Sequence, residues 1–156
     1  MKNILVPIGS SDNALSTLQY AIDFAEVVNA NVLVFRAFSL AARAGAIINV
    51  DDIVAREQMA DVKDIIAKVD RKNISVKIIS AKGSVVDSIE TVDKELGIDL
   101  IIVGPRPNDL QESYFLGKTT GSIVKQTDIP VLIIPEEYTF KPIKKILTAI
   151  KSGVIK

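Results

Sequence analysis

The chain has 156 residues, the size of one globular domain, and its 19 lysines and arginines equal its 19 aspartates and glutamates. A net charge of zero gives no field that would recruit nucleic acid or an anionic membrane surface, so neither is expected as a partner. Cysteine and histidine are both absent, which excludes a thiolate nucleophile, a Ser-His-Asp triad, a disulfide and a zinc site of the usual ligand types.

Short runs rich in valine and isoleucine recur along the chain and are typical of strands buried on both faces of a parallel sheet. In chain order these predicted strands are residues 3–8, 31–38, 74–80, 98–103 and 130–134. Three segments with helical spacing of apolar residues lie between the first four strands. The first follows a start signal at 10–12, the second opens at Asp51-Asp52, and the third runs from near Ser84 to Gly97.

Strands that alternate with amphipathic helices form βαβ units with right-handed crossovers. The sequence therefore predicts an α/β protein with an open, mostly parallel five-stranded sheet sandwiched by helices. In such a sheet, ligands bind beyond the carboxyl ends of the strands, where the winding reverses. The polar stretch 105–116, which follows the fourth strand, is predicted to lie at such an end.

The end of the chain repeats the pattern of its beginning. Residues 143–153 and residues 1–10 both read as a basic start, an apolar strand and a turn of small residues. We interpret this as a tandem duplication, with one domain over residues 1–138 and a linker plus the first strand of a truncated second repeat over 139–156. The alternative is a C-terminal strand that shares a Lys-Ile-Leu pattern.

Residues able to bind phosphate cluster between the end of the fourth strand and a fourth predicted helix, which precedes the fifth strand. Gly104 ends the strand, Arg106 lies in the loop, and Gly117 opens the helix. The first turn of that helix contains a lysine and two threonines: Lys118, Thr119 and Thr120. Free amides at a helix N-terminus, with hydroxyls and a lysine beside them, suit a phosphate group. A hinge, a helix cap and a solvated charge would explain the same residues, and the sequence leaves both interpretations open.

Several motifs together resemble the universal stress protein family. They are the apolar start 4–7, Gly83-Ser84-Val85, the strand 99–104 that ends in glycine, and the strand 129–135. The likeness extends from Met1 to about Pro135. It implies a Rossmann-like fold of the adenine nucleotide alpha hydrolase type and a cytoplasmic stress-response module. It also implies a homodimer, or pairing with a sister domain, through the edge strand that begins at Val131 and ends at Ile134.

The nucleotide-binding branch of that family carries G-x-x-G, nine residues, and then G-[S/T]. Gly104 and Gly117 match the outer glycines, whereas Pro107 replaces the middle glycine and Lys118 the final hydroxyl residue. Gly9 stands where the family has an aspartate on the adenine side. The resemblance therefore implies a degenerate or altered site for ATP or another adenine nucleotide.

The resemblance implies the following binding residues: Pro7, Gly9, Val103, Gly104, Arg106, Gly117, Lys118, Thr119 and Thr120. No catalytic residue and no metal ligand is predicted. The alternative is an enzyme that handles adenine nucleotides, of the ATP pyrophosphatase type. Such enzymes carry a Ser-Gly-Gly-x-Asp-Ser loop after the first strand, and residues 9–12 do not have that order.

Overall fold

The computed structural model describes residues 1–9, 13–38, 50–104 and 118–144, with residues 38, 50–58 and 118 described by their backbone alone. Within these ranges, strands and helices alternate as the sequence predicts. The strands are β1 (Asn3–Pro7), β2 (Asn31–Phe38), β3 (Val76–Lys82), β4 (Leu100–Val103) and β5 (Val131–Ile133). The helices are α1 (Ala14–Val28), α2 (Val50–Lys68), α3 (Val85–Leu96) and α4 (Lys118–Gln126).

The five strands form one parallel sheet in the order β3-β2-β1-β4-β5. The chain builds outward from β1 to β3 on one side and then adds β4 and β5 on the other side of β1. The winding direction therefore reverses between β1 and β4, and the crevice beyond their carboxyl ends is where open α/β sheets bind ligands. The predicted fold class is confirmed.

The third helix has the ends that its sequence specifies. Ser84 is its N-cap, and the Ser84 hydroxyl oxygen accepts a hydrogen bond from the Asp87 N–H at 3.2 Å. Gly97 follows the last turn with φ 72°, a conformation that glycine adopts at little cost. The start signal predicted for the first helix, residues 10–12, lies outside the described residues.

The bounds of β1 and β5 differ from the prediction by one residue, and those of β3 and β4 differ by two. β3 runs from Val76 to Lys82 rather than from 74 to 80, because seven consecutive residues pair in register with β2, from Val32↔Val76 to Phe38↔Lys82. β4 begins at Leu100 rather than at 98, since the chain is still leaving α3 at Ile98, whose N–H donates to the Asp93 carboxylate at 2.7 Å.

Helices cover both faces of the sheet, so strand residues of either parity are buried. The helices α1 and α2 pack on the face that includes Ile4, Val6, Val34 and Ile102. The helices α3 and α4 pack on the other face, which includes Leu5, Phe35, Ile101 and Val103. This two-sided burial explains why the strands read as continuous apolar runs. None of the helices, over the part of the chain that the structure describes, is long and apolar enough to cross a membrane.

At the amino edge of the sheet, Asp99 fixes the start of β1. Its Oδ2 accepts the N–H of Lys2 at 2.7 Å and the N–H of Asn3 at 3.0 Å. The backbone hydrogen bonds from Asn3 and Lys2 hold the pKa of the Asp99 carboxyl below its ordinary value. The Asn3 side chain in turn donates to the carbonyls of Leu96 and Gly97. The strand start and the turn after α3 are therefore joined by side-chain hydrogen bonds.

After β5, aromatic residues of the chain pack against α1. The Phe140 ring lies edge-on to the Tyr20 ring, with centroids 5.3 Å apart. It also lies edge-on to the Phe24 ring, with centroids 6.1 Å apart. The Tyr138 ring lies 6.1 Å from Tyr20. Burial, and secondarily the Tyr138 phenol, raises the pKa of Tyr20. Most of the segment predicted to open a second repeat, residues 145–156, lies outside the described residues.

Candidate functional site

The carboxyl ends of β1 and β4 bring four of the predicted binding residues to the point where the winding reverses. Pro7 is the last residue of β1, and Gly9 lies two residues beyond it. Val103 is the last residue of β4, and Gly104 follows it directly. The Ile8 N–H donates to the Phe35 carbonyl at 2.8 Å, so the end of β1 is held against β2 up to the turn. The topology thus places these residues at the edge expected of a ligand site.

Position 104 has no room for a side chain, which explains why it is a glycine. A Cβ at this position would lie 2.5 Å from Thr17 Oγ1, closer than real Cβ atoms approach another heavy atom. Thr17 lies on α1 and is buried. The Gly104 backbone is not in the left-handed region, so conformational freedom is not the reason for the glycine. The reason is the close approach of α1 to the end of β4.

Thr120 contacts the same residue from the opposite face of the sheet. It lies in the first turn of α4, is buried, and donates its hydroxyl proton to the Gly104 carbonyl at 3.2 Å. Thr119, its neighbour, is exposed. Two buried hydroxyls, from helices on opposite faces, therefore meet at the carboxyl end of β4. The hydrogen bond from Thr120 sets the start of α4 relative to that strand end.

Gly9 lies in open space. It is exposed, and a Cβ on it would have no heavy atom within 4 Å. An aspartate at this position would therefore fit without displacing a neighbour within the described residues. Crowding by the described residues is therefore not the reason for a glycine at position 9.

The remaining predicted binding residues are only partly within the structure. Lys118 is the first residue of α4, which confirms the predicted helix start directly after Gly117, but its side chain is not described. Arg106 and Gly117 lie outside the described residues, as does Pro107. Their contacts with a ligand remain predictions.

Sequence reasoning missed two residues at this edge, Thr17 and Arg36. Thr17 carried no signal, because a small polar residue on a helix is common. Arg36 did carry one, since it is the charged residue in the apolar strand β2. It follows the last β1–β2 pair, Pro7↔Phe35, and its Nη1 atom is buried with no hydrogen-bond partner among the described residues.

The described part of this edge offers no group tuned for acid–base chemistry. The pKa values that depart from their ordinary range belong, within the described residues, to Tyr20 on α1, to Lys72 and to Asp99. The Lys72 ammonium donates hydrogen bonds to the carboxylates of Glu26 and Asp23, and these hydrogen bonds raise the pKa of Lys72. No three acidic side chains in the described ranges are grouped closely enough to hold a metal ion. The groups that the described part of this edge could offer a ligand are the exposed Thr119 hydroxyl and the first-turn amides of α4.

A doubly wound parallel sheet with this site defines a class of small α/β proteins, and comparison with known sequences identifies the family. The model of the universal stress protein family matches residues 1–135. The chain therefore belongs to the universal stress protein family, as the sequence motifs predicted.

Individual relatives agree with this assignment. Universal stress protein G of Shigella flexneri is 33% identical over 52 residues, a match that covers 33% of this chain and 36% of that protein. The chain thus matches about a third of the length of this curated relative. A universal stress protein from Archaeoglobus fulgidus, solved in complex with dAMP, has a TM-score of 0.60 and 20% identity, covering 85% of this chain and 97% of that one. A universal stress protein solved in complex with cAMP has a TM-score of 0.57 and 20% identity, covering 85% and 95%.

Proposed function

We propose that this chain is a regulatory module of the stress response that binds an adenine nucleotide and acts by association rather than by turnover. The observation that carries the proposal is the meeting of Gly104, Thr17 and Thr120 at the point where the sheet winding reverses. Through Thr120, this strand end contacts the first turn of α4, whose free amides suit a phosphate group. The ligands of the dAMP and cAMP complexes make adenine nucleotides the class to test.

The nucleotide would span the crevice from β1 to α4. The base would lie toward Gly9, and the phosphates would lie toward Lys118 and the amides of the first turn. Loss of the family's aspartate at position 9 removes a hydrogen-bond acceptor and weakens adenine selection by ~1–2 kcal/mol. Pro107 has no N–H to offer a phosphate and has a fixed φ. The Lys118 ammonium supplies a point charge that compensates at the phosphate end.

Calorimetric titration with ATP, AMP and dAMP tests the nucleotide proposal. A denatured extract of the purified protein should also be examined for bound nucleotide that survived purification. Saturable binding of any of the three supports the proposal, whereas no heat in the titrations and no nucleotide in the extract would contradict it. Incubation with ATP, followed by measurement of AMP and pyrophosphate, tests the rival enzyme. Turnover that depends on the protein would replace the association module with the ATP pyrophosphatase type.

The edge strand β5 is the surface we propose for association, with a second copy or with a sister domain. The Ile134 N–H donates to the Val103 carbonyl and the Ile101 N–H donates to the Pro130 carbonyl. Because backbone groups alternate in direction along a strand, those of Val131 and Ile133 point away from β4. The opposite edge, β3, carries Lys77 and Lys82, and charged side chains of this kind discourage pairing. The uncharged β5 edge is therefore the one expected to pair.

A proline substitution tests this pairing with little change to the β4 ladder. Ile133→Pro removes an N–H that points away from β4, and Ile133→Ala is the matched control that loses the same side chain but keeps the N–H. Leu132 is unsuitable because it packs against the α1 and α2 side of the core. We expect analytical ultracentrifugation to give a lower molar mass for Ile133→Pro than for Ile133→Ala. A parent protein that is monomeric at high concentration would contradict the pairing proposal.

The domain division and location are also part of the proposal. Residues 1–138 would form one universal stress domain, and residues 139–156 would be a linker with the first strand of a second repeat. We place the module in the cytoplasm, where adenine nucleotides are abundant.

A further inference from the structure

Three residues that contact one another in turn, Thr17, Gly104 and Thr120, link α1 to the start of α4. The Thr17 hydroxyl lies against Gly104 so closely that no Cβ fits between them. The Gly104 carbonyl accepts the hydroxyl proton of Thr120 at 3.2 Å. Thr120 belongs to the first turn of α4, which begins at Lys118. A displacement of the strand end at Gly104 would therefore be transmitted to the amides that open α4.

We propose that Thr17 is a positioning residue of the nucleotide site: its γ atoms fix the carboxyl end of β4, and through Gly104 and Thr120 they fix the phosphate-binding end of α4. The phosphate part of this inference rests on the proposed nucleotide function. Thr17 is suited to this role because a β-branched side chain has few χ1 rotamers in a helix. It is also buried, which leaves its side chain little freedom to move. Its contribution is steric, so the shape of the side chain matters more than its hydroxyl.

Three variants separate shape from hydroxyl chemistry. Thr17→Val keeps two γ atoms without the hydroxyl, Thr17→Ser keeps Oγ but loses the branch, and Thr17→Ala loses both γ atoms. Ser88→Ala is the control, because Ser88 is also a buried hydroxyl residue, on α3, and donates to the Ser84 carbonyl rather than toward β4. Each variant is compared with the parent in thermal unfolding, in nucleotide titration and in amide hydrogen exchange.

Nucleotide titration uses ATP and adenosine as the two probes. We expect Thr17→Ala to weaken ATP binding about tenfold relative to the parent and to leave adenosine binding unchanged, since adenosine has no phosphate. Thr17→Val should keep ATP affinity within about twofold of the parent, and Ser88→Ala should leave both ligands unaffected. Equal losses for ATP and adenosine in Thr17→Ala, or a loss in Thr17→Val as large as in Thr17→Ala, would overturn the proposal.

Hydrogen exchange in the ligand-free protein tests the positioning step without any nucleotide. The amides of residues 122–124, which donate to the first-turn carbonyls of α4, should exchange faster in Thr17→Ala than in the parent, while the amides of α3 stay unchanged. The amides of residues 122–124 should keep the parent rate in Thr17→Val and in Ser88→Ala. Unchanged exchange in Thr17→Ala would overturn the positioning role even if ATP binds. If the parent binds no nucleotide but the exchange result holds, the proposed function fails and the mechanical link between Thr17 and α4 stands.

Discussion

The Thr17 hydroxyl occupies the space in which a side chain at position 104 would begin, with 2.5 Å between Oγ1 and the place of a Cβ. Two elements that are far apart in sequence, α1 and the end of β4, are thereby packed so closely that only glycine fits at the strand end. The first prediction concerns this contact.

Gly104→Ala should destabilise the protein by roughly 1–3 kcal/mol, because the added methyl group overpacks a site where Thr17 cannot easily turn away. Combining it with Thr17→Ala should recover part of that loss, since the nearest remaining Thr17 atom, Cβ, is 3.7 Å away. Denaturant unfolding of the parent, both single variants and the double variant forms a complete cycle, with an expected coupling of about 0.5–3 kcal/mol. Additive single effects would show that the two residues do not conflict.

Lys118→Ala tests whether the lysine binds the outer phosphates. We expect ATP affinity to fall by ~1–3 kcal/mol while AMP affinity changes little, because AMP lacks the phosphates that the ammonium would contact. Lys125→Ala, at the other end of α4, is the charge-matched control. If the parent binds ATP tightly and Lys118→Ala binds it equally well, the lysine has not replaced the family's hydroxyl.

Restoring the family pattern tests whether the departures weaken the site. Gly9→Asp, Pro107→Gly and Lys118→Ser together should give ATP binding in the micromolar range, about −8 kcal/mol. The open space around Gly9 makes the first of these changes sterically acceptable. Lys125→Ser, at the other end of α4, is a control for a change of lysine to serine that restores no family residue. Failure of both parent and restored variant to bind would show that other positions close the pocket.

Two truncations test the proposed domain division. A chain that ends at Phe140 keeps both aromatic residues that contact α1, Tyr138 and Phe140, so its melting temperature should lie within a few degrees of the full chain. A chain that ends at Glu137 loses Tyr138 and Phe140 and should be less stable by about 1–3 kcal/mol. Thermal unfolding of the full chain and of the two truncated chains measures both differences in stability. A large loss on ending at Phe140 would mean that residues 141–156 belong to the first domain.

Asp99→Asn should lower stability at neutral pH and have little effect in strong acid. The folded-state pKa of Asp99 is lowered by hydrogen bonds from Asn3 and Lys2, so its carboxylate stabilises the fold above the unfolded pKa of about 4. That contribution is lost as the pH falls through the folded-state pKa. Unfolding of parent and variant between pH 7 and pH 2 checks this, with Asp128→Asn, at an exposed position, as control. A difference that persists at the lowest pH would point to packing rather than to ionisation.

The sequence by itself determined the order and type of the elements. Apolar runs and helical spacing predicted the strands and helices, and Ser84 and Gly97 predicted both ends of α3, because capping depends on residues a few positions apart. The family motifs also predicted that Gly104 and Thr120 belong to one site, and the two residues are hydrogen-bonded to each other. Local patterns of this kind are readable because each depends on neighbours along the chain.

Only the tertiary structure decided why Gly104 must be a glycine and how its carbonyl is used. The contact with Thr17 and the hydrogen bond from Thr120 depend on how closely α1 and α4 pack against the end of β4 from opposite faces. The burial of the Arg36 Nη1 atom and the packing of Phe140 on Tyr20 likewise depend on residues that meet only in the fold. Such contacts depend on how closely two elements pack, to within about an ångström. This closeness is set by the whole fold, so it cannot be read from neighbouring residues in the sequence.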